Sequence, residues 1–189
     1  VYYYEKSYTI SYNANGGSGA PSSQTKWHTT SLKLSSTKPT RTGYTFQGWS
    51  TSSSATSASY SAGGTFTTNA STTLYAVWAK NKYTISFNAN GGSGAPSSQT
   101  KTYGLDLTLS STKPTRSGYT FKGWGTSSSS TTASYQPGGK YTSNSSATLY
   151  AVWESNAPTT YTVSYNANGG SGAPASQTKT HGVTLTLSS

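Results

Sequence analysis

The sequence has no cysteine, no methionine and only three acidic residues, Glu5, Asp106 and Glu154, among its 189 positions. Without cysteine there are no disulfides, thiolate nucleophiles, zinc ribbons or iron–sulfur clusters. So few carboxylates nearly exclude chemistry that depends on paired acids. No apolar run approaches the roughly 20 residues of a membrane-spanning helix. No signal peptide is recognisable, and we expect the chain to be an excerpt of a longer protein.

Serine and threonine dominate the composition instead, with 37 and 34 residues. Aromatic residues still make up 13% of the chain, which argues against simple disorder and predicts a folded protein. The 13 lysines and arginines outnumber the three acids and give a formal net charge of +10. A surface of this sign is expected to attract polyanions.

The sequence repeats itself with a period near 75 residues. Residues 8–78 align without a gap with residues 83–153, and 52 of the 71 positions are identical; residues 161–189 repeat residues 83–111 with 23 identities. The predicted organisation is the end of a preceding copy (1–7), repeat 1 (8–78), a linker (79–82), repeat 2 (83–153), a linker (154–160) and a partial repeat 3 (161–189). Because half a repeat cannot close a core, the sequence is predicted to be a window from a longer tandem array.

Within each repeat, apolar residues alternate with polar ones, as they do in half-buried strands. The clearest runs are residues 8–12 and residues 105–109, the second beginning at Leu105. Gly48 precedes a shift of apolar parity and predicts a β-bulge. No stretch of ten residues has helical periodicity. Mainly β modules are therefore predicted, with at most a single helical turn.

Three motifs occur in the same order in both complete repeats. In repeat 1 they are Tyr-Thr-Ile-Ser-Tyr-Asn-Ala-Asn-Gly-Gly at residues 8–17, Lys-Pro-Thr-Arg-Thr-Gly-Tyr-Thr-Phe-Gln-Gly-Trp at 38–49 and Thr-Leu-Tyr-Ala-Val-Trp at 73–78. Together they resemble the Listeria-Bacteroides repeat, also called the internalin B-repeat family. The resemblance covers almost the whole chain.

The resemblance implies a small β-grasp-like, ubiquitin-like module, used in tandem in secreted or surface-attached bacterial and some archaeal proteins. It implies no enzyme activity, and we expect no cofactor. The position after the first strand is often aspartate in the family. Here it is Asn13, Asn88 and Asn166, which argues against a calcium-dependent version.

Several basic residues occupy equivalent positions in successive repeats and are candidate polyanion contacts. They are Lys26, Lys38, Arg41, Lys101, Lys113, Arg116 and Lys179. Their partner would be an acidic glycan or an anionic cell-wall polymer. The alternative is that they only solubilise the surface or protect strand edges. Nucleic acid is not expected, because the cations are sparse and no recognition motif accompanies them.

Other side chains bear on chemistry or modification. Asn69 and Asn144 begin equivalent glycosylation sequons in polar turns, so both are candidate glycosylation sites. His28 and His181 align with Tyr103, which favours a packing position over a metal ligand. No serine has a recurring histidine and carboxylate to activate it, which argues against a hydrolase. A Lys-Asn isopeptide crosslink is not expected, because it requires a neighbouring carboxylate.

Two classes of function fit these observations. The first is a structural segment of an extracellular, prokaryotic surface protein: a stalk, or the subunit of a filament whose partners are copies of itself. An aromatic side chain such as Trp49 or Trp78 would then pack against the next copy. The second is an adhesin module that binds glycan, anionic cell-wall polymer or a host receptor. Enzyme activity is not expected.

Overall fold

A computed structural model describes residues 4–188 as strands joined by turns, with no helix in this range. Residues 1–3 of the predicted N-terminal remnant, and residue 189, lie outside the described residues. The first module, residues 8–78, is built from the first six strands, two of which extend slightly beyond it. They are β1 (Ser7–Asn13), β2 (Gln24–Trp27), β3 (Leu32–Lys33), β4 (Tyr44–Ser50), β5 (Thr65–Phe66) and β6 (Thr72–Lys80).

The second module, residues 83–153, repeats this arrangement, and a hairpin follows it. The second module's strands are β7 (Lys82–Asn88), β8 (Gln99–Thr102), β9 (Leu107–Thr108), β10 (Tyr119–Gly125), β11 (Lys140–Tyr141) and β12 (Ala147–Ser155). The third segment, residues 160–188, contains β13 (Thr160–Val163) and β14 (Gln177–Thr180), which pair antiparallel.

Each complete module has one four-stranded and one two-stranded sheet. In the first module the larger sheet has the order β2-β1-β6-β4, and β1 runs parallel to β6 with Ile10 opposite Thr72. The outer strands β2 and β4 are antiparallel to their neighbours, and β3 pairs with β5. The second module repeats both sheets as β10-β12-β7-β8 and β11-β9.

These sheets confirm the predicted fold class of mainly β, repeated modules. The alternating residues 8–12 lie within β1, as their polarity indicates. The β-grasp assignment stays a prediction. It rests on the resemblance, and residues 4–188 contain no helix to lie across the sheet.

Each module buries its own apolar core. In the first module the core residues, each at most 2% exposed, are Ile10, Leu34, Trp49, Phe66, Leu74 and Ala76. The corresponding residues of the second module are Ile85, Leu109, Trp124, Tyr141, Leu149 and Ala151. Burying each large apolar side chain contributes about 1.5–3 kcal/mol. Trp49 therefore stabilises its own module and is not available to pack against the next copy.

The predicted bulge in β4 is confirmed. The register between β4 and β6 shifts between Phe46 and Gly48, and Gly48 has a φ of 134°. A Cβ atom at Gly48 would lie 2.5 Å from the carbonyl oxygen of Tyr60, which accepts a hydrogen bond from the Trp49 N–H at 2.7 Å. Glycine at this position lets the chain around Tyr60 approach the strand closely.

The predicted strand over residues 105–109 is wrong except at two of its residues. Only Leu107 and Thr108 form β9, while the Leu105 N–H donates to the carbonyl of Thr102 at 3.1 Å in a turn. Leu105 is 54% exposed. The turn removes this leucine from the strand, because Gly104 adopts a left-handed backbone with a φ of 70°.

The first junction joins the first and second modules through a single residue. Of residues 79–82, which the sequence assigns to a linker, only Asn81 lies outside a strand. Its N–H donates to the Gly43 carbonyl at 2.9 Å, and its carbonyl accepts from the Tyr103 N–H at 2.9 Å. The Tyr103 ring covers Gly43, where a Cβ atom would lie 2.2 Å from ring carbons. Two modules are thus tied together at Asn81 and Tyr103.

In the second junction, two different residues make the two backbone hydrogen bonds that Asn81 makes alone in the first. The Asn156 N–H donates to the Gly118 carbonyl at 2.9 Å, whereas the Thr159 carbonyl accepts from the His181 N–H at 2.8 Å. Nothing lies within 4 Å of a Cβ atom placed on Gly118. The three extra residues of this linker separate the next hairpin from the module before it.

The third segment differs from the modules in the exposure of its apolar residues. Leu187 is 61% exposed, whereas its equivalents Leu34 and Leu109 are each 2% exposed. The described part of this segment contains only the hairpin of β13 and β14. In the complete modules, the corresponding leucine is covered by strands that come later in the repeat.

Candidate functional site

The turn after the first strand of each module is fixed by asparagine side chains. Asn15 has a left-handed backbone with a φ of 48°, and its N–H donates to Oδ1 of Asn13 at 2.8 Å. Its Nδ2 donates to the carbonyls of Ser53 at 2.8 Å and Ala76 at 3.0 Å. Asn90 makes the corresponding bonds in the second module. An amide is needed here, because a carboxylate has no N–H to donate.

A groove of about 760 Å³ lies beside this turn in the first module. One wall is the side chain of Arg41, whose guanidinium carbon lies 4.0 Å from the centre of the Tyr44 ring. Half-buried Trp78 also lines the groove, and its indole N–H donates to the Ala14 carbonyl at 3.0 Å. A cation, aromatic rings and the hydroxyl of Ser18 therefore share one open surface.

The glycines of the turn allow these side chains to approach the backbone. A Cβ atom on Gly17 would lie 2.5 Å from the Thr40 carbonyl oxygen and 2.7 Å from the Trp78 ring. On Gly16, it would lie 3.4 Å from the guanidinium carbon of Arg41. The turn, the arginine and the tryptophan thus form one packed unit.

The second module repeats this arrangement with its own residues. The guanidinium carbon of Arg116 lies 3.8 Å from the centre of the Tyr119 ring. The Trp153 indole N–H donates to the Ala89 carbonyl at 2.9 Å, and a Cβ atom on Gly91 would lie 3.4 Å from Arg116. Recurrence in two modules shows that the repeat itself specifies the stacked arginine.

The stacked arginines form no ion pair within residues 4–188. The two ion pairs of this range join Lys122 to Glu154 at 2.9 Å and Lys140 to Asp106 at 3.4 Å. Arg41 makes one long hydrogen bond, from Nη1 to the Asn15 carbonyl at 3.5 Å. Most of its five N–H groups therefore remain available to a ligand or to water.

Two side chains outside the groove have shifted pKa values. A hydrogen bond from the Thr29 hydroxyl, reinforced by the Thr29 backbone N–H, lowers the pKa of Glu5. Burial raises the pKa of Tyr12, whose hydroxyl donates to Gln24 and accepts from the Ser35 N–H at 3.1 Å. Neither titrating residue lines the groove.

Lys26, a predicted polyanion contact, is buried and only 2% exposed. Its Nζ donates to the carbonyls of Trp27 at 2.9 Å and Thr30 at 2.7 Å and to Oδ1 of Asn69 at 2.7 Å. Three acceptors match the three N–H groups of an ammonium ion. The prediction is wrong at Lys26, because atoms within its own module already satisfy the charge.

Lys101 has the same role in the second module and is 1% exposed. Its Nζ donates to the Thr102 carbonyl at 3.0 Å and to Oδ1 of Asn144 at 2.9 Å, and the same Oδ1 accepts from the Gly104 N–H at 3.0 Å. The predicted polyanion contact is wrong here too. In the third segment, Lys179 is half-buried and its Nζ donates to the carbonyl that follows it in the chain, at 2.8 Å.

Asn69 and Asn144, the candidate glycosylation sites, lie at exposed positions and use Oδ1 to bind the buried lysines. Glycosylation at these residues stays a prediction. The structure also brings each lysine close to an asparagine, as an isopeptide crosslink would require. No carboxylate within residues 4–188 forms an ion pair with Lys26 or Lys101.

The remaining predicted cations lie near the stacked arginines in sequence. Lys38 and Lys113 are exposed, and the proline that follows each of them is buried. Together with Arg41 and Arg116 they remain predicted polyanion contacts. Among residues 4–188, no group of three or more histidine, aspartate or glutamate side chains is placed to hold a metal ion.

The position shared by His28, Tyr103 and His181 is used differently in each copy. His28 is exposed, and its Nδ1 lies 2.9 Å from the Tyr8 hydroxyl. Tyr103 covers Gly43 of the first module, and His181 is exposed. The predicted packing role is therefore confirmed for Tyr103, where the ring packs against the preceding module.

Sequence reasoning identified Arg41 but missed Tyr44 and Trp78 as its neighbours in the groove. A signal was available in the recurring Arg-x-Gly-Tyr pattern. The Tyr44 N–H donates to the Arg41 carbonyl at 3.0 Å, and Gly43 between them has a φ of 77°. This tight turn places the two side chains against each other.

One protein-family model matches this chain three times. Residues 8–77, 83–152 and 161–189 each match the Listeria-Bacteroides repeat domain. The chain belongs to this family. The three matches are tandem copies of the repeat domain, and they correspond to the two complete modules and the third segment.

Two relatives come from Evansella cellulosilytica. One, provisionally named a Gly-rich membrane protein, is 39% identical over 130 residues, which are 68% of this chain and 14% of that protein. The other, provisionally named a membrane protein, is 36% identical over 165 residues, 87% of this chain and 23% of that protein. The chain thus spans less than a quarter of either relative. No solved structure matches it, and within residues 4–188 no helix has the length and apolarity to span a bilayer.

Proposed function

We propose that this chain is a non-enzymatic stalk segment of a repetitive, extracellular protein on a prokaryotic cell surface. The first junction carries this proposal. A stalk must hold successive modules at a fixed separation, and a junction of one residue leaves little freedom for them to move independently.

Both ends of the first junction are anchored by hydrogen bonds at Asn81. Its backbone N–H reaches Gly43 of the first module and its carbonyl reaches Tyr103 of the second, each at 2.9 Å. Its Oδ1 accepts from the Thr45 hydroxyl at 2.8 Å. Each such bond contributes about 0.5–1.5 kcal/mol. Three bonds at one residue favour a single orientation of the two modules.

An aromatic contact adds to these bonds. The Tyr103 ring lies over Gly43 and meets the Tyr44 ring edge-on, with 5.8 Å between ring centres. Aromatic pairs of this geometry contribute about 0.5–1.5 kcal/mol beyond the area they bury. The contact supports a stiff connection, because it joins a loop of the second module to a loop of the first.

The relatives support a surface location for the whole protein. Both are named as membrane proteins, and both are several times longer than the matched segment. A tandem array that projects from a membrane-attached part accounts for the repeated modules.

A stalk is favoured over a filament by the sheet edges. Filament growth by strand addition requires a free strand edge. The outer strand β4 is bridged at Trp49 to Tyr60, and the opposite outer strand, β2, has only four residues. The outer edge of β4 is thus interrupted at Trp49, and the edge at β2 is short.

Sedimentation and negative-stain electron microscopy of the 189-residue chain test the stalk proposal. The expected result is a monomer at micromolar concentration, with the first two modules in a constant relative orientation. Class averages in which these modules adopt many orientations would contradict the stalk. Concentration-dependent fibres would replace it with the filament.

A further inference from the structure

Beyond the stalk role, we propose that the groove beside Arg41 in the first module, and the matching surface beside Arg116 in the second, each bind one residue of an acidic saccharide. The anionic group, a carboxylate or a phosphate, pairs with the stacked guanidinium, and the sugar ring packs against the half-buried tryptophan. In the second module the corresponding residues are Arg116 and Trp153.

The charge of the groove selects an anion. Arg41 is half-buried, its guanidinium carbon lies 4.0 Å from the Tyr44 ring centre, and its Nη1 donates one 3.5 Å bond to the Asn15 carbonyl. Neither Arg41 nor Arg116 forms an ion pair within the described residues. Stacking holds the planar fork in place, which favours a two-point contact with an oxyanion.

The lining of the groove fits a sugar better than a peptide strand. Trp78 and Phe46 supply an apolar floor, while Ser18, Thr40 and Thr42 supply hydroxyl groups for a sugar. A peptide that binds by strand addition needs unpaired backbone groups. Ser18 and Thr40 already exchange both backbone hydrogen bonds, each at 2.9 Å. The backbone at this place is therefore closed to another strand.

Repetition makes the proposed ligand a polymer. The two stacked arginines are 75 residues apart in sequence, in modules joined through Asn81. A polysaccharide with acidic groups along its length can occupy both grooves at once, and the second contact is then intramolecular. Loss of one of the two sites should therefore weaken binding of the polymer by more than the factor of two expected if the sites bound independently.

Calorimetric titration of the full chain tests this site. The titration is carried out in about 0.15 M salt, because distant charges are screened at this concentration. Polygalacturonate and phosphomannan separate the carboxylate and phosphate sources. Dextran controls for the sugar without charge, and poly-L-glutamate and polyphosphate control for charge without sugar. We expect binding to at least one acidic polysaccharide, and at least tenfold weaker binding to the three controls.

Charge-matched variants locate the contact. R41Q/R116Q is expected to bind about tenfold more weakly, whereas K33Q/K82Q, which loses the same charge at exposed positions outside the groove, should change by less than threefold. Equal losses in both variants would overturn the proposal in favour of diffuse attraction. So would equally tight binding of poly-L-glutamate or polyphosphate, or failure of both acidic polysaccharides to bind.

A measurement on the unmodified chain protects the test from variants that fail to fold. The five tryptophans each carry one indole N–H, and their five NMR signals are the readout. Saturation with the bound polysaccharide should shift the signals of Trp78 and Trp153 and leave those of the core residues Trp49 and Trp124 in place. Unchanged Trp78 and Trp153 signals would exclude the groove. The stalk proposal does not depend on this result.

Discussion

The two junctions of this chain differ by three residues and by one aromatic contact. Both keep the bond from an asparagine N–H to a glycine carbonyl, Asn81 to Gly43 and Asn156 to Gly118, each at 2.9 Å. Only the first junction places the next copy's ring on that glycine, where Tyr103 covers Gly43. The asparagine–glycine bond therefore follows from the module itself, whereas the ring contact occurs where the linker is short and the ring is that of Tyr103, not of His181.

Linker length also determines whether one residue can serve both neighbours. Asn81 bonds to the module before it and to the module after it. In the second junction these bonds are divided between Asn156 and Thr159, with residues 157 and 158 between them. The two linkers thus distribute the same pair of backbone hydrogen bonds over one residue or over two.

The largest effect is expected for the buried lysines. Lys101→Met should destabilise the second module by about 3 kcal/mol, because its carbonyl and amide acceptors lose their donor inside the protein. Lys101 also holds the loop that carries Tyr103, through the Thr102 carbonyl. The substitution should therefore loosen the first junction. Chemical unfolding gives the stability, and distances between labels on the two modules give the freedom of the junction.

Lys26→Met is the matched control for this prediction. It should destabilise the first module at least as much, because Lys26 has the same two kinds of acceptor as Lys101 and also donates to the Thr30 carbonyl. Tyr103 does not depend on Lys26, so the first junction should keep its geometry while the first module remains folded. If both variants loosened the junction equally, the buried lysine of the second module would not be what positions Tyr103.

A smaller effect is expected at the two junction glycines. Gly43 and Gly118 have φ values of 77° and 76°, so Gly118→Ala measures backbone strain alone, about 1 kcal/mol. Gly43→Ala adds a clash with the Tyr103 ring, which should raise the total to about 2 kcal/mol. Thermal unfolding of the two variants measures the difference. Identical losses would mean that the ring contact contributes no stability.

The smallest effect on stability is expected for Glu5, which precedes the first module in sequence. Glu5 accepts from Thr29, in the loop equivalent to the one that carries Tyr103, and this contact lowers the pKa of Glu5. A lowered pKa in the folded state means that the contact stabilises the fold above the usual carboxyl range. This stabilisation is lost as the pH falls through the lowered pKa. Melting curves from pH 3 to 7 should show this dependence in the native chain and less of it in Glu5→Gln.

The first strand was predictable, because polarity alternates along residues 8–12. The repeat was predictable, because residues 8–78 and 83–153 align without a gap. The bulge at Gly48 was predictable from the parity shift beside a glycine. Leu105 was predicted in a strand for the same reason, yet a turn at Gly104 exposes it. Alternation of polarity does not distinguish a strand from a turn that contains a glycine with a left-handed backbone.

The buried lysines were not predictable from charge alone. Lys26 lies on a short strand among polar residues, a pattern typical of a solvated cation. Its burial depends on the Thr30 carbonyl and on Asn69, which is 43 residues away in sequence. The contact of Tyr103 with Gly43 is equally remote, since the sequence indicates a packing position without showing what the ring meets.

Distances between spin labels, measured across both junctions by double electron–electron resonance, test most directly whether the first junction is more rigid than the second. The chain has no cysteine, so thiols introduced at the equivalent exposed positions Ser22, Ser97 and Ala175 are its only labelling sites. The pair at 22 and 97 spans the first junction and should give a narrow distribution, whereas the pair at 97 and 175 should give a broad one. Deletion of residues 157–159 should narrow the second distribution. Equal widths in the native chain, or no narrowing after the deletion, would contradict the proposal that linker length sets the stiffness of the junctions.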